Sequence, residues 1–244
     1  MAEARKNHFN PNAKGISMII FVVVAPSEDM YVQSSGCFDL KRRLEKLSGE
    51  PCLVLHNLQL TRALVDELRP KAMILGGFGF SFEEFDVRSF YPLEEVVKTT
   101  DVPIMAVCGS HQLLGCMYNL DLHSVTKLRD EPMRKLRPSE PDLADYHPGY
   151  FKEYGFYPVI IVKDDPIFEN LPNPFIIREA HYCEVKALPH NFELLASTDE
   201  CHVQAMKHKS RMIYGTQFHP EAYTETYQHG KVVLENFFRM SSRD

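Results

Sequence analysis

Apolar residues run almost unbroken from Ile16 to Ala25 (ISMIIFVVVA), the pattern of a strand covered on both faces in a parallel sheet. Beyond it, Phe38, Leu40, Leu44 and Leu47 are spaced among Lys41, Arg42, Arg43 and Glu45, which predicts an amphipathic helix closed by Gly49. Residues 52–58 read as a second strand and 61–68 as a short helix capped by Thr61; 71–75 read as a third strand ending at Gly76-Gly77. A helix near 93–98, an apolar strand at 103–107 and a leucine-rich helical stretch through 115–118 continue the alternation. Strands alternating with helices imply an α/β fold with a mostly parallel sheet and helices on both faces, and such sheets bind ligands beyond the carboxyl ends of their strands. Gly76-Gly77 and Cys108 stand at two of those ends.

The helical and strand periods disappear between 121 and 152, where Pro132, Pro138, Pro141 and Pro148 sit among charges of both signs, so this stretch reads as an irregular insertion. Strand-like runs resume at 155–162, 175–185, 193–197 and 212–218, and a helix over 230–240 ends the pattern. We read 1–15 as a polar tail and 16–244 as a single domain, without repeats or low-complexity tracts.

Composition narrows the partners. A net charge of -6 with 25% charged residues offers no basic surface for a phosphate backbone, so nucleic acid is not expected. Six cysteines without a CxxC pair suit reduced thiols in a cytoplasmic protein. Arg5, Lys6 and Lys14 before the first apolar run resemble a signal peptide, but Pro26 and the acidic pair Glu28-Asp29 follow where a small-residue cleavage site belongs. The run is also too short to cross a bilayer, so no membrane association is expected.

The chemistry concentrates in two segments. AVCGSHQLLG (106–115) sets Cys108 between an apolar strand and a helix, with the small Ala106 and Ser110 two residues to either side. A sharp strand-to-helix turn of this kind presents a nucleophile at a helix N-terminus, where N–H groups and the helix dipole favour a thiolate. A lone cysteine after a strand is more often a small buried hydrophobe, and a lone His-x-Glu more often a surface pair. Together the two motifs carry more weight, because YGTQFHPE (214–221) runs from a strand into His219 and Glu221, two residues apart and therefore on one side of an extended chain. Glu221 can orient the His219 ring while its other nitrogen faces sulfur. Gly77 and Gly109 can supply two backbone N–H groups to an oxyanion hole. His111, His181 and His219 invite a metal, yet neither Cys nor His recurs at zinc spacing, so neither metal nor cofactor is expected.

At these residues the chain resembles the class I glutamine amidotransferases, whose elbow reads GxCxGHQ where this chain has AVCGSHQ, and whose closing motif matches YGTQFHPE. The segments 153–172 and 178–189 resemble the family's DPLF-x-GLP and SH-x-DEV-x-LP runs. Phe78 stands where the family's GGPG loop has proline, and Ala180 where serine precedes His181. The resemblance implies a flavodoxin-like sheet, Cys108, His219 and Glu221 as a catalytic triad, and Gln112, His181 and Tyr182 at the amino-acid end of glutamine. It further implies hydrolysis of the γ-amide of glutamine through a cysteine thioester, with ammonia passed to a synthetase partner. Two alternatives stay open: a free-standing γ-glutamyl peptide or amide hydrolase or transferase, and a catalytically impaired regulatory subunit.

Overall fold

The computed structural model describes residues 17–29, 37–143 and 147–242, and the polar tail at 1–15 lies outside them. β1 (Ile19–Val23) is an interior strand because it can be buried on both faces: Ile20 and Val22 enter one apolar layer, Ile19, Phe21 and Val23 the other. α1 (Cys37–Ser48) leads to β2 (Cys52–His56), and α2 (Arg62–Leu68) to β3 (Ala72–Leu75). The start of α2 is capped as its sequence predicts, the Leu64 N–H donating to Thr61 Oγ1 at 3.2 Å. α3 (Tyr91–Thr99), β4 (Ile104–Val107) and α4 (Gly109–Asn119) follow.

Two helical layers then cover the sheet. α2, α3 and α4 set Val65, Leu93, Val96, Leu113 and Met117 against one face. α1 and the final helix α5 (His229–Ser241) set Leu44, Val233, Leu234 and Phe237 against the other. Each such side chain contributes about 1.5–3 kcal/mol by leaving water.

The remaining strands are β5 (Glu153–Ile161), β6 (Phe175–His181), β7 (Phe192–Ser197), β8 (Ala205–His208) and β9 (Ile213–Thr216). The sheet order is β2-β1-β3-β4-β9-β8-β7-β5-β6. The half from β2 to β9 is parallel, and from β9 outward every pairing is antiparallel. β8 has no counterpart in the sequence reading. Its four residues, AMKH, neither alternate nor form an apolar run, and pairing with β7 and β9 makes it a strand.

Among its described residues the insertion contains a 3-10 turn at Leu122–Ser124 and is otherwise irregular, but it is held firmly to the sheet. Met133 N–H donates to Tyr182 O and Glu184 N–H to Glu131 O, at 2.8 and 2.9 Å. Arg134 bridges Glu140 and Glu200 while its guanidinium lies 4.1 Å from the Phe151 ring centre. Among the described residues no helix is long and apolar enough to cross a membrane.

Candidate active site

β4 ends in a turn that forces Cys108 to φ 50°, ψ −112°, a conformation rarely adopted by residues with a Cβ. The turn is fastened on both sides. Cys108 N–H donates to Thr216 O on the neighbouring β9 at 2.7 Å, and its carbonyl accepts Gln112 N–H in the first turn of α4. Ser110, which the sequence recommends only for its size, also donates from Oγ to Gly76 O at 2.6 Å and so ties the elbow to the glycine loop after β3.

β9 is paired beside β4, which carries His219 to the same edge. His219 Nδ1 lies 2.7 Å from Glu221 Oε1, and the backbone N–H of His219 donates to Arg178 O on β6. Arg43 on α1 braces the turn, donating to the carbonyls of Glu221 and Tyr223. Nε2 is buried without a hydrogen-bond partner of normal geometry. Burial of the ring opposes its charged form, but the carboxylate of Glu221 and the adjacent sulfur of Cys108 outweigh it and lift the His219 pKa well above the usual imidazole value.

Gly77 lies against both groups. A Cβ there would sit 3.0 Å from His219 Cε1 and 3.1 Å from Cys108 Cβ, so only glycine leaves the loop this close to the thiol. A Cβ on Gly109 would meet the Phe78 ring at 2.9 Å. Phe78 therefore lies on the elbow, wedged against Phe82 and Phe85, and the cleft over Cys108 is narrow, about 30 Å³. Its walls include Phe78, Gln112, His181, Tyr182 and Cys183.

The three residues assigned to substrate contact thus all reach the cleft, but with side chains already engaged. Gln112 Nε2 donates to Cys183 O and to Gln217 Oε1. The His181 ring points into a sealed acidic cluster, with Nε2 2.9 Å from Glu153 Oε2 and 3.2 Å from Glu179 Oε2. Burial alone would lower the His181 pKa, yet the two carboxylates raise it to about 10; burial pushes Glu179 up to about 7.

Gln217 escaped the sequence reading. It is fully buried and donates from Nε2 to Cys108 Sγ at 3.7 Å, completing a chain from Gln112 to the thiol. Its only signal was its place inside YGTQFHPE. His111 belongs to the core: Nε2 pairs with Val203 O, and burial drops its pKa to about 3. Cys183 is buried at the cleft wall, and desolvation, helped by the charge of Asp130, pushes its thiol pKa far up.

The family model for glutamine amidotransferase class I matches residues 37–240. The chain belongs to this family. Among relatives of this class I amidotransferase, a glutamine-hydrolyzing GMP synthase subunit from Methanosphaera stadtmanae is 28% identical, over 81% of this chain and 88% of that one. The protein of the same name from Pyrococcus furiosus is 32% identical, over 72% and 78%. A crystal structure described as a GMP synthase subunit from Thermoplasma acidophilum superposes with a TM-score of 0.68 at 22% identity, covering 92% of this amidotransferase and 94% of its own chain, a likeness of fold.

Proposed function

We propose that this amidotransferase hydrolyses the γ-amide of glutamine and passes the ammonia to a separate synthetase subunit. One observation carries the reading: the strained Cys108 elbow stands beside an oriented His219–Glu221 pair, with Gly77 so close that a Cβ on it would collide with both Cys108 and His219. In this mechanism Cys108 Sγ attacks the amide carbon, and the Gly77 and Gly109 N–H groups hold the developing oxyanion. His219, kept cationic by Glu221, gives its Nε2 proton to the leaving nitrogen, releasing ammonia and leaving a glutamyl thioester. His219 then takes a proton from water, which attacks the thioester, and glutamate departs as the thiolate is restored. Gln217 positions the sulfur, and Gln112 with the backbone of His181 and Tyr182 faces the amino-acid end of glutamine.

The ammonia acceptor is inferred from the relatives: proteins named as one subunit of a glutamine-hydrolyzing GMP synthase imply a companion subunit that completes the synthase. Six cysteines without a CxxC pair support a reducing, cytoplasmic setting.

The test is release of glutamate and ammonia from glutamine by the purified chain, with γ-glutamyl dipeptides as competing substrates. Cys108→Ala should lose at least a thousandfold in kcat while keeping its melting temperature within a few degrees. Retained turnover in that variant would remove Cys108 from the mechanism. Preference for dipeptides over glutamine would replace the substrate.

A further inference from the structure

A second cluster of reactive side chains adjoins the cleft. Asp130 and His147 come from the insertion and Cys183 from the segment after β6, and one ligand atom of each lies within 4.8 Å of those of the other two. The cluster is held in place. Asp130 Oδ1 accepts the Phe82 N–H at 2.9 Å, which leaves Oδ2 3.0 Å from His147 Nε2. The His147 ring packs edge-on to Tyr182. Backbone hydrogen bonds at Met133 and Glu184 clamp the insertion to the residues on either side of Cys183.

We propose that Asp130, His147 and Cys183 bind a borderline divalent transition metal, zinc above all, and that the bound ion inhibits the hydrolase. The donor set of one carboxylate oxygen, one imidazole nitrogen and one sulfur suits zinc and disfavours magnesium or calcium, which prefer oxygen alone. With metal–ligand distances of about 2.0 Å to N and O and about 2.3 Å to S, tetrahedral neighbours stand about 3.3 to 3.5 Å apart. The 3.0 Å pair is near that separation, and the whole cluster reaches it by closing about an ångström.

Charge also balances: a thiolate and a carboxylate neutralise a dication, with neutral histidine as the third ligand. Cys183 gives up its proton to solvent as the metal binds. His147 keeps 24% of its side chain exposed, a path for the ion. Cys183 and Cys108 line the same cleft, so an ion held by Cys183 would stand beside the Cys108 thiol. A cation there takes the thiolate or blocks its approach to an amide. This inhibitory half rests on Cys108 being the nucleophile; the metal site itself does not.

The deciding experiment titrates the full metal-free chain with Co²⁺ and Zn²⁺. Expected are one ion per chain and a thiolate-to-cobalt charge-transfer band that persists in Cys108→Ser. That band should vanish in Cys183→Ser, and affinity should fall at least tenfold in His147→Gln and Asp130→Asn, each checked for an unchanged melting curve. A chain that binds no metal at micromolar zinc, or a band that survives Cys183→Ser and disappears in Cys108→Ser, overturns the site. Zinc should inhibit glutamine hydrolysis by the wild type at least tenfold more strongly than by His147→Gln, whose metal-free rate stays unchanged. Equal inhibition of the two overturns the regulatory role even where the cobalt spectrum upholds the site.

Discussion

Holding a residue with a Cβ at φ 50°, ψ −112° costs of order 1–3 kcal/mol, and the surroundings of Cys108 meet that cost with hydrogen bonds from β9, α4 and, through Ser110, the glycine loop. Ser110→Gly removes the bond to Gly76 O, worth about 1 kcal/mol, so kcat for glutamine should fall about fivefold with little change in KM. A loss beyond a hundredfold would give the hydroxyl a role in the chemistry itself. Glu221→Gln keeps a polar partner for His219 Nδ1 but removes the charge that favours imidazolium. Its kcat should drop at least tenfold, and the pH-rate profile should move with the lowered His219 pKa. An unshifted profile would show that Glu221 acts only as a tether.

β6 carries an ionic device into the interior. Glu179 has its folded pKa raised by burial to about 7, above its ordinary value of 4.5, so its contribution to stability is complete below 4.5 and lost as pH climbs through 7. His181, raised to about 10 from 6.5, contributes fully below 6.5 and loses that contribution as pH rises through 10. Both groups therefore make alkaline conditions destabilising. Glu179→Gln deletes the lower window, worth up to about 3 kcal/mol, and should flatten the fall in stability between pH 5 and pH 7. Urea melts across that range check it, and parallel slopes for the two proteins would refute the assignment.

Across the whole molecule, the insertion joins the site to the outer surface. Its backbone pairs with Tyr182 and Glu184, so it supports the cleft wall from behind, while Arg134 locks its far end to Glu200. Replacing residues 127–145 by a short Gly/Ser linker should loosen that wall and raise KM for glutamine at least fivefold with a smaller effect on kcat. Unchanged kinetics with both glutamine and γ-glutamyl dipeptides, and unaltered affinity for a synthetase partner, would reduce the segment to a surface loop.

What the sequence determined was local or periodic: the two-sided apolar run of β1, the amphipathic α1, the Thr61 cap, and the placing of Cys108 and His219 at strand ends. These follow from burial and backbone geometry, which act over a few residues. Tertiary structure decided what depends on partners far along the chain. The short β8 exists through pairing, and Gln217 reaches the thiol only because β9 lies beside β4. The His181 side chain turns into the sheet because Glu153 and Glu179 hold it there with two charged contacts. Asp130, His147 and Cys183 form no motif in the chain. Only the hydrogen bonds that draw the insertion onto the segment after β6 make them neighbours, since ligand spacing in sequence reports sites built on one turn or loop and not sites closed by long-range contacts.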